Sequence, residues 1–386
     1  MTIRIAAVLC ILLPIALIAG QTSTELQKND YERADVTEKE PASLANGPAD
    51  ALTDAALNRT MVPYFGASVR AAYIQQPATA VVRLAEVQQM QFTGSGVIAV
   101  IDTGVDPMHP ALTDALVPGY DFTRNTPFVS ELWDLDPVTA AVLTQSTIEF
   151  LDTYKAKLNQ STIAFLDQST IAFLDSRNLP AAFGHGTMVA GIVHLVAPTA
   201  KIMPLKAFRA DGTSRIADIV NAIYYAVDHG AGVINMSFSL NNRSPEVTAA
   251  LEYARSRNVL CVASAGNMGE SVKLYPAGEG GVIGVGSTNN LDVRSAFSNY
   301  DVSSARTAAP GEALITTYPG NHYAGVWGTS FSAALVTGSV NLMRQANPSA
   351  SGSQIKDALD HGIKIEQKMG DARLDLVRSI RYLMHD

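Results

Sequence analysis

Three short segments of this 386-residue chain each place a residue able to take part in nucleophilic catalysis beside glycine. Glycine lets the backbone bend sharply and lets a substrate approach closely. Asp102 ends an apolar run, His185 stands between two glycines, and Ser330 comes two positions after a glycine. A serine hydroxyl is a weak nucleophile until a base takes its proton, and an imidazole acting as that base needs a carboxylate to fix its tautomer. The residue types therefore predict a Ser–His–Asp site.

A fourth segment adds Asn267, whose side-chain amide can donate a hydrogen bond to a developing oxyanion. Taken singly, these residues have ordinary structural interpretations. Asp102 can be a turn residue that ends a strand, and Ser330 can be a helix N-cap. The presence of all four segments in one chain favours the catalytic interpretation.

Together the four segments resemble the subtilisin family of serine proteases, in which the same residue types follow in the order Asp, His, Ser. The resemblance runs from about Tyr73 to the C-terminus. It implies that Ser330 attacks the scissile carbonyl, that His185 relays the proton and that Asp102 orients His185. Asn267 and the backbone N–H of Ser330 would hold the oxyanion.

Short β-rich runs alternate with helical patterns along the rest of the chain. The predicted strands cover residues 97–101, 201–207, 232–236, 259–263 and 281–286, and the predicted helices cover 188–194, 216–229, 244–257, 330–346 and 371–385. This alternation predicts a three-layer α/β fold with a mostly parallel central sheet and helices on both faces. Catalytic residues are then expected at the carboxyl ends of strands and at helix starts.

The resemblance also implies a peptide-binding cleft, in which the substrate adds a strand to the enzyme. Ser237, Phe238 and Ser239 would form one edge of the cleft and one wall of its primary pocket, and Ser264, Ala265 and Gly266 would form the opposite wall. Gly212, Thr213 and Ser214 would form the second edge of the cleft, and Ile216 would lie at a distal apolar pocket. Because these side chains carry no charge, we expect an apolar or aromatic residue before the scissile bond.

Several positions depart from the family pattern. Ser214 and Ser239 replace glycines at the edges of the cleft, and Ala334 replaces a proline after the nucleophile. Ala111 stands where the family's strong calcium site has a carboxylate, so that site is predicted to be absent. No metal ligand is assigned and no cofactor is required; Asp134 and Asp136 remain candidates for a weaker calcium site, although a solvated surface is the favoured interpretation.

The resemblance implies a secreted serine endopeptidase that works through an acyl-enzyme on Ser330. The departures from the family pattern leave two alternative functions open. The first is a catalytically weak, peptide-binding or scaffold protein with the protease fold. The second is a transpeptidase. In the scaffold hypothesis the partner engages a repeated motif, QSTIxFLD, that occurs three times between residues 145 and 175.

The predicted organisation has three parts. Residues 1–20 are predicted to be a signal peptide or an N-terminal anchor, because a basic start precedes an apolar run. Residues 21–72 are predicted to be a short, poorly ordered pro-segment or linker. Residues 73–386 form the catalytic domain, with an insertion at about 128–180 that contains the repeats. The repeats are interpreted either as a surface insert made by tandem duplication or as a docking arm for a partner.

Composition limits the partners. The net charge is −8 and no Lys/Arg cluster is evident, so nucleic acid is excluded as a ligand and a peptide or protein substrate is expected. Cys10 lies in the leader, and Cys261 sits in an apolar run, where it reads as a small buried side chain rather than half of a disulfide. We expect a monomer outside the cytoplasm, in contact with a membrane only if the N-terminal segment stays uncleaved.

Overall fold

The structure is a computed structural model that describes residues 60–140, 170–171, 179–365, 370 and 372–385. In these ranges the strands are β1 (Met61–Tyr64), β2 (Ala67–Arg70), β3 (Val97–Asp102), β4 (Tyr120–Asp121), β5 (Thr170–Ile171), β6 (Lys201–Lys206), β7 (Ala231–Met236), β8 (Leu260–Ser264), β9 (Ile283–Thr288), β10 (Thr307–Pro310), β11 (Leu314–Tyr318), β12 (His322–Trp327), β13 (Ile363–Lys364) and β14 (Ala372–Arg373).

The helices of the same ranges are α1 (Ala71–Ile74), α2 (Pro77–Val81), α3 (Leu84–Gln89), α4 (His185–Val196), α5 (Ile216–Asp228), α6 (Pro245–Ser256), α7 (Thr329–Ala346), α8 (Gly352–Asp360) and α9 (Leu376–Met384). A short 3-10 helix spans Glu131–Asp134.

A nine-stranded sheet runs through the described part of the chain in the order β13-β14-β10-β9-β8-β7-β3-β6-β4. The pairs from β14 to β4 are parallel, and β13 is antiparallel to β14. Strands β11, β12 and β5 form a separate antiparallel sheet. In a parallel sheet the carboxyl ends of neighbouring strands meet at one edge, so the ends of β3, β6, β7 and β8 lie side by side.

The central sheet is apolar on both faces because successive side chains of a strand point to opposite sides. In β3, Ile98 and Val100 pack into the core that also holds Met188 and Ile192 of α4 and Leu335 of α7.

The intervening residues of β3, Ala99 and Ile101, pack into a second core, which contains Ile219 of α5 and Leu251 of α6. The result is three layers, with helices α4 and α7 on one face and α5 and α6 on the other. The predicted fold class is confirmed.

The C-terminal segment differs from the helix predicted over residues 371–385. Ala372 and Arg373 form strand β14 instead, paired in parallel with β10. The helix begins at Leu376, where the Asp375 side chain accepts a hydrogen bond from the backbone N–H of Arg378 and caps the first turn. The buried guanidinium of Arg373 pairs with Asp292 at 2.7 Å, a long-range contact that helical periodicity does not encode.

Residues 61–70, which the sequence analysis assigned to a linker, form the β1–β2 hairpin. Two of its apolar residues are part of the core, since Tyr64 is 8% exposed and Val69 is fully buried. The Tyr64 hydroxyl donates to the carbonyl of Leu195 at 2.6 Å, and the Tyr73 hydroxyl donates to the carbonyl of Gly191 at 2.5 Å. Two hydrogen bonds from the N-terminal segment therefore hold helix α4.

Most of the predicted insertion lies outside the described residues, including all three copies of QSTIxFLD except Thr170–Ile171. These two residues form β5, which pairs with Val326 and Trp327 of β12.

The buried His194 on α4 makes stability depend on pH. Burial lowers the pKa of its imidazole to about 4, and neither ring nitrogen has a hydrogen-bond partner among the described groups. The unfolded chain, with a pKa of about 6.5, binds the proton more readily, so this contribution to stability is complete above pH 6.5 and is lost as the pH falls toward 4.

We predict that, between pH 7 and pH 5, the free energy of unfolding falls by about 2 kcal/mol more in the wild type than in His194→Phe. Phenylalanine keeps a ring of similar size and cannot bind a proton. Urea unfolding at the two pH values measures the difference. The exposed His385→Asn variant serves as the control and should follow the wild type; equal pH slopes for His194→Phe and wild type would contradict the prediction.

Candidate active site

The carboxyl end of β3 meets the first residue of α4. The Nδ1 atom of His185 lies 2.7 Å from Oδ1 of Asp102. Because a carboxylate only accepts, Nδ1 carries the hydrogen and Nε2 is left as the basic nitrogen. The backbone N–H of Thr103 donates to the same Asp102 oxygen at 2.7 Å and so helps to hold the carboxylate in place.

Opposing effects act on the pKa of His185. Burial lowers the pKa, but the negative charge of Asp102 and its hydrogen bond act in the opposite direction, so the pKa lies above its ordinary value. The neutral imidazole is therefore a stronger base than a free histidine. Its activity as a base is lost on the acid side, where the ring holds a second proton.

Ser330 lies in the first turn of α7, and the residue that follows it approaches His185. The ring of the next residue, Phe331, is centred 5.9 Å from the imidazole. The Ser330 hydroxyl lies 3.2 Å from the carbonyl oxygen of Ser237, at the carboxyl end of β7. Its backbone N–H belongs to the helix N-terminus, where N–H groups have no acceptor within the helix.

A chain of buried polar groups fixes Ser330 to β7. The Ser237 hydroxyl donates to the carbonyl oxygen of Ser330 at 2.9 Å and accepts from the Asn235 amide at 2.9 Å. The Thr337 hydroxyl, two turns along α7, donates to the side-chain Oδ1 of Asn235 at 2.8 Å. Ser237 was predicted to bind substrate, and Asn235 and Thr337 were not predicted to take part in the site; in the structure the Ser237 hydroxyl supports Ser330.

The side-chain amide of Asn267 is oriented by Thr329. Its Oδ1 accepts from the backbone N–H of Thr329 at 2.9 Å and from the Thr329 hydroxyl at 2.8 Å. Since both groups donate, the oxygen must face Thr329 and the amide N–H groups face the other way. The Thr329 hydroxyl also accepts from the N–H of Gly266 at 3.2 Å. Thr329, next to Ser330 in the sequence, was missed as the residue that orients Asn267.

Two glycines allow Asp102 and His185 to meet. A Cβ at Gly186 would overlap the carbonyl oxygen of Gly104, and a Cβ at Gly104 would overlap the carbonyl oxygen of Val129. Gly104 also has φ +107°, a conformation that other residues rarely adopt. The glycines beside Asp102 and His185 are therefore needed for close packing of the backbone.

A cleft opens beside Asp102 and His185. It is lined by Ile101, Asp102, Thr103, Ala182, His185, Phe208, Gly212, Ser237, Phe238 and Ser239. The lining is mainly apolar on the side of Phe208 and Phe238, whose ring centres are 4.8 Å apart. Of the predicted substrate residues, the cleft brings together Gly212, Ser237, Phe238 and Ser239.

The predicted opposite wall lies deeper. Ser264 is 2% exposed and Ala265 is fully buried, in a small cluster with Ala305 and Ala308. Gly266 has φ +99° and is fixed by Thr329. The side chains of Ser264 and Ala265 are therefore not accessible to a bound peptide, and contact with this segment would have to be made through its main chain.

The predicted second edge is a tight turn. Asp211 accepts from the N–H and the hydroxyl of Thr213 at 2.8 and 2.7 Å, and Ser214 donates its hydroxyl to the carbonyl of Ala207 at 2.6 Å. The Ser214 hydroxyl is thus satisfied by the main chain beneath it. Ile216, the first residue of α5, is 38% exposed.

The described residues contain no group of three or more His, Cys, Asp or Glu side chains placed to hold a metal ion. Asp134, a candidate for a weak calcium site, is paired instead with the buried Lys206 at 2.7 Å and with Arg124. Asp136 accepts hydrogen bonds from the backbone of Val138 and Thr139.

Comparison with known proteins agrees with this geometry. Residues 94–376 match the model of the subtilase family. The chain belongs to the subtilase family. This membership confirms the family predicted from the sequence and places the chain among serine-type peptidases.

Similar proteins include a thermophilic serine proteinase of Bacillus sp. (strain AK1), 32% identical over 263 residues, which are 68% of this subtilase and 55% of the relative. Subtilisin BL of Lederbergia lenta is 37% identical over 185 residues, 46% of this chain and 68% of the relative. Thermitase of Thermoactinomyces vulgaris is 30% identical over 279 residues, 69% of this chain and 81% of the relative. The matched region thus spans about half of the Bacillus proteinase.

Among solved structures, a cold-adapted subtilisin-like serine proteinase superposes with a TM-score of 0.56 at 21% identity, covering 73% of this subtilase and 89% of that protein. At this identity the likeness concerns the fold alone.

We predict that Thr329→Val lowers kcat about 10-fold, because Asn267 Oδ1 loses one of its two donors from residue 329 and the amide is held less firmly. Steady-state kinetics on a peptide substrate measure the effect. Thr329→Ser is the matched control, since it keeps the hydroxyl and should retain most of the activity. Equal kcat for the valine and serine variants would count against this role.

Proposed function

We propose that this subtilase is a serine endopeptidase that forms an acyl-enzyme on Ser330. The observation that supports the proposal most strongly is the hydrogen bond between Asp102 and His185 Nδ1, because it fixes the tautomer in which Nε2 is the basic nitrogen. Ser330 at the start of α7 and the fixed amide of Asn267 supply the nucleophile and a donor for the oxyanion.

In the first half of the reaction, Ser330 Oγ attacks the carbonyl carbon of the scissile bond and its proton passes to His185 Nε2. The carbonyl oxygen becomes an oxyanion, which accepts from the Asn267 amide and from the N–H of Ser330. Asp102 stabilises the imidazolium. His185 then gives the proton to the leaving nitrogen, the C–N bond breaks, and the acyl group stays on Ser330.

In the second half, a water molecule takes the place of the leaving amine. His185 removes a proton from the water as its oxygen attacks the acyl carbon, and the same donors hold the second oxyanion. The C–O bond to Ser330 breaks, and the proton returns from His185 to Ser330 Oγ. The products are a new carboxyl terminus and a new amino terminus, and no cofactor takes part.

We propose a peptide with an apolar or aromatic residue before the scissile bond as the preferred substrate. The cleft offers the rings of Phe208 and Phe238 and the small residues Gly212 and Ser239. Its charged groups are those of the reaction itself, Asp102 and His185. A lysine or arginine would find no dedicated carboxylate among the described lining residues and would lose hydration.

We also propose that the protein acts outside the cytoplasm as a monomer. The basic start and apolar run of residues 1–20 support export. Among the described residues, no helix has the length and apolar character needed to cross a membrane.

We predict that a fluorophosphonate probe labels the wild-type protein, since it traps a serine made nucleophilic by a neighbouring base. Ser330→Ala should abolish labelling. Ser332→Ala removes a buried hydroxyl two residues further along α7. It is the matched control and should still be labelled.

Failure of the folded wild type to react would refute the protease proposal and favour the scaffold alternative. Transpeptidation is separated by adding an amine nucleophile: aminolysis products that exceed hydrolysis products would point to a transpeptidase.

We predict that, in a peptide library, apolar and aromatic residues before the cleaved bond are preferred over lysine and arginine by at least about 10-fold in kcat/KM. Mass spectrometry of the cleavage products gives the preference at each position. A preference for basic residues would show that the assigned pocket is wrong while leaving the catalytic proposal intact.

A further inference from the structure

Glu131 is a buried carboxylate that the mechanism above does not use. It begins the 3-10 helix Glu131–Asp134 and is fully buried. Its Oε1 accepts from the Thr103 hydroxyl and from the N–H of Gly186 at 3.2 Å. Its Oε2 accepts from the N–H of Thr187 at 3.2 Å and from the Thr187 hydroxyl. Four donors thus converge on the two oxygens, the arrangement expected for an ionised carboxylate.

The donors belong to the two segments that carry Asp102 and His185. Gly186 and Thr187 are the second and third residues of α4, which starts at His185, and a negative charge at a helix N-terminus is stabilising. Thr103 follows Asp102, and its hydroxyl also lies 3.2 Å from Asp102 Oδ1. Glu131 therefore contacts residues that are adjacent in sequence to Asp102 and to His185, the two partners of the hydrogen bond.

The charges around Glu131 come from several elements. Burial has the largest effect and raises the pKa of Glu131 above its ordinary value. The hydrogen bonds from Thr103 and Thr187 and the charge of Lys206 on β6 act against this rise, and the charge of Asp102 on β3 adds to it. His185 on α4 is close enough for the charge of Glu131 to help raise the pKa of the imidazole. Burial raises the pKa of the Tyr318 phenol on β11, and the charge of Glu131 raises it further.

We propose that Glu131 is a positioning residue for catalysis, which fixes the start of α4 and the Asp102 turn so that His185 keeps its orientation and basicity. The inference rests on the proposed function, since positioning matters only if His185 acts as the base. A group that merely filled the core would need neither two acceptor oxygens nor contacts with both segments.

The decisive variant is Glu131→Gln. Glutamine has nearly the same shape but a single acceptor oxygen, so its amide group must face either Gly186 and Thr103 or the two donors of Thr187. We expect kcat to fall at least about 10-fold with KM within about twofold, because a misplaced base affects the chemical step more than binding. Circular dichroism should show an unchanged fold.

A second readout does not depend on turnover. The pKa of the His185 imidazole, followed by NMR with labelled histidine and assigned by its absence in His185→Gln, should be lower in Glu131→Gln than in the wild type. A purely structural role of Glu131 would lower the melting temperature and leave this titration unmoved.

Asp375→Asn is the matched control. Asp375 is also a buried carboxylate that caps a helix, since it accepts from the N–H of Arg378 at 3.0 Å, but helix α9 carries no residue of the site. We expect its kcat and its His185 titration to equal those of the wild type. Wild-type kcat and wild-type titration in Glu131→Gln would overturn the proposal.

If Glu131→Gln does not fold, Thr187→Val tests the same contact from the other side, with Thr187→Ser as its control. The valine variant should lower kcat and the pKa of His185, and the serine variant should do neither. If the wild type itself neither cleaves peptides nor reacts with the probe, the proposed function fails, and the NMR titration still decides whether Glu131 sets the pKa of His185.

Discussion

The contact between Asp102 and His185 requires the end of a strand and the start of a helix to touch at their backbones. The Gly186 position lies against the carbonyl oxygen of Gly104, closer than any side chain allows. This approach sets the register of α4 over β3, and α4 in turn shares its core with α7, which carries Ser330. The three-layer packing and the catalytic geometry are thus consequences of the same constraint.

Buried charge lies directly beneath this contact. Lys206 is fully buried, and its ammonium group donates to the carbonyls of Thr103 and Phe208 and to Asp134, each at 2.6 or 2.7 Å. A buried cation is costly unless its hydrogen bonds are made, and here all three are. Because one partner is the carbonyl of Thr103, the charge network and the turn that holds Asp102 form one unit.

The sequence was sufficient to predict the fold class and the segments that hold Asp102, His185, Asn267 and Ser330, because each of these residues sits in a short local pattern of glycines and apolar residues. The groups that hold them were not predictable in this way. Glu131 reaches Gly186 across 55 residues, and Thr337 reaches Asn235 across 102.

Such long-range partners have no local signature, since the mixture of apolar and acidic residues around Glu131 does not show that its carboxylate is buried. Thr329 is the exception, because its position next to Ser330 was a signal that could have been used. The hairpin of β1 and β2 was missed for a related reason: its four-residue strands are too short to show a clear alternation of apolar and polar residues.

That hairpin limits where the chain can be matured. A proteolytic cut at residue 72, the end of the linker expected from the sequence, would remove Tyr64 and Val69 from the core and release the hydroxyl that binds the last turn of α4. The core described above therefore requires the chain from about Met61 onward. A cut that leaves this core complete would have to lie before the hairpin, and a pro-segment that ends there would be shorter than the 21–72 segment predicted from the sequence.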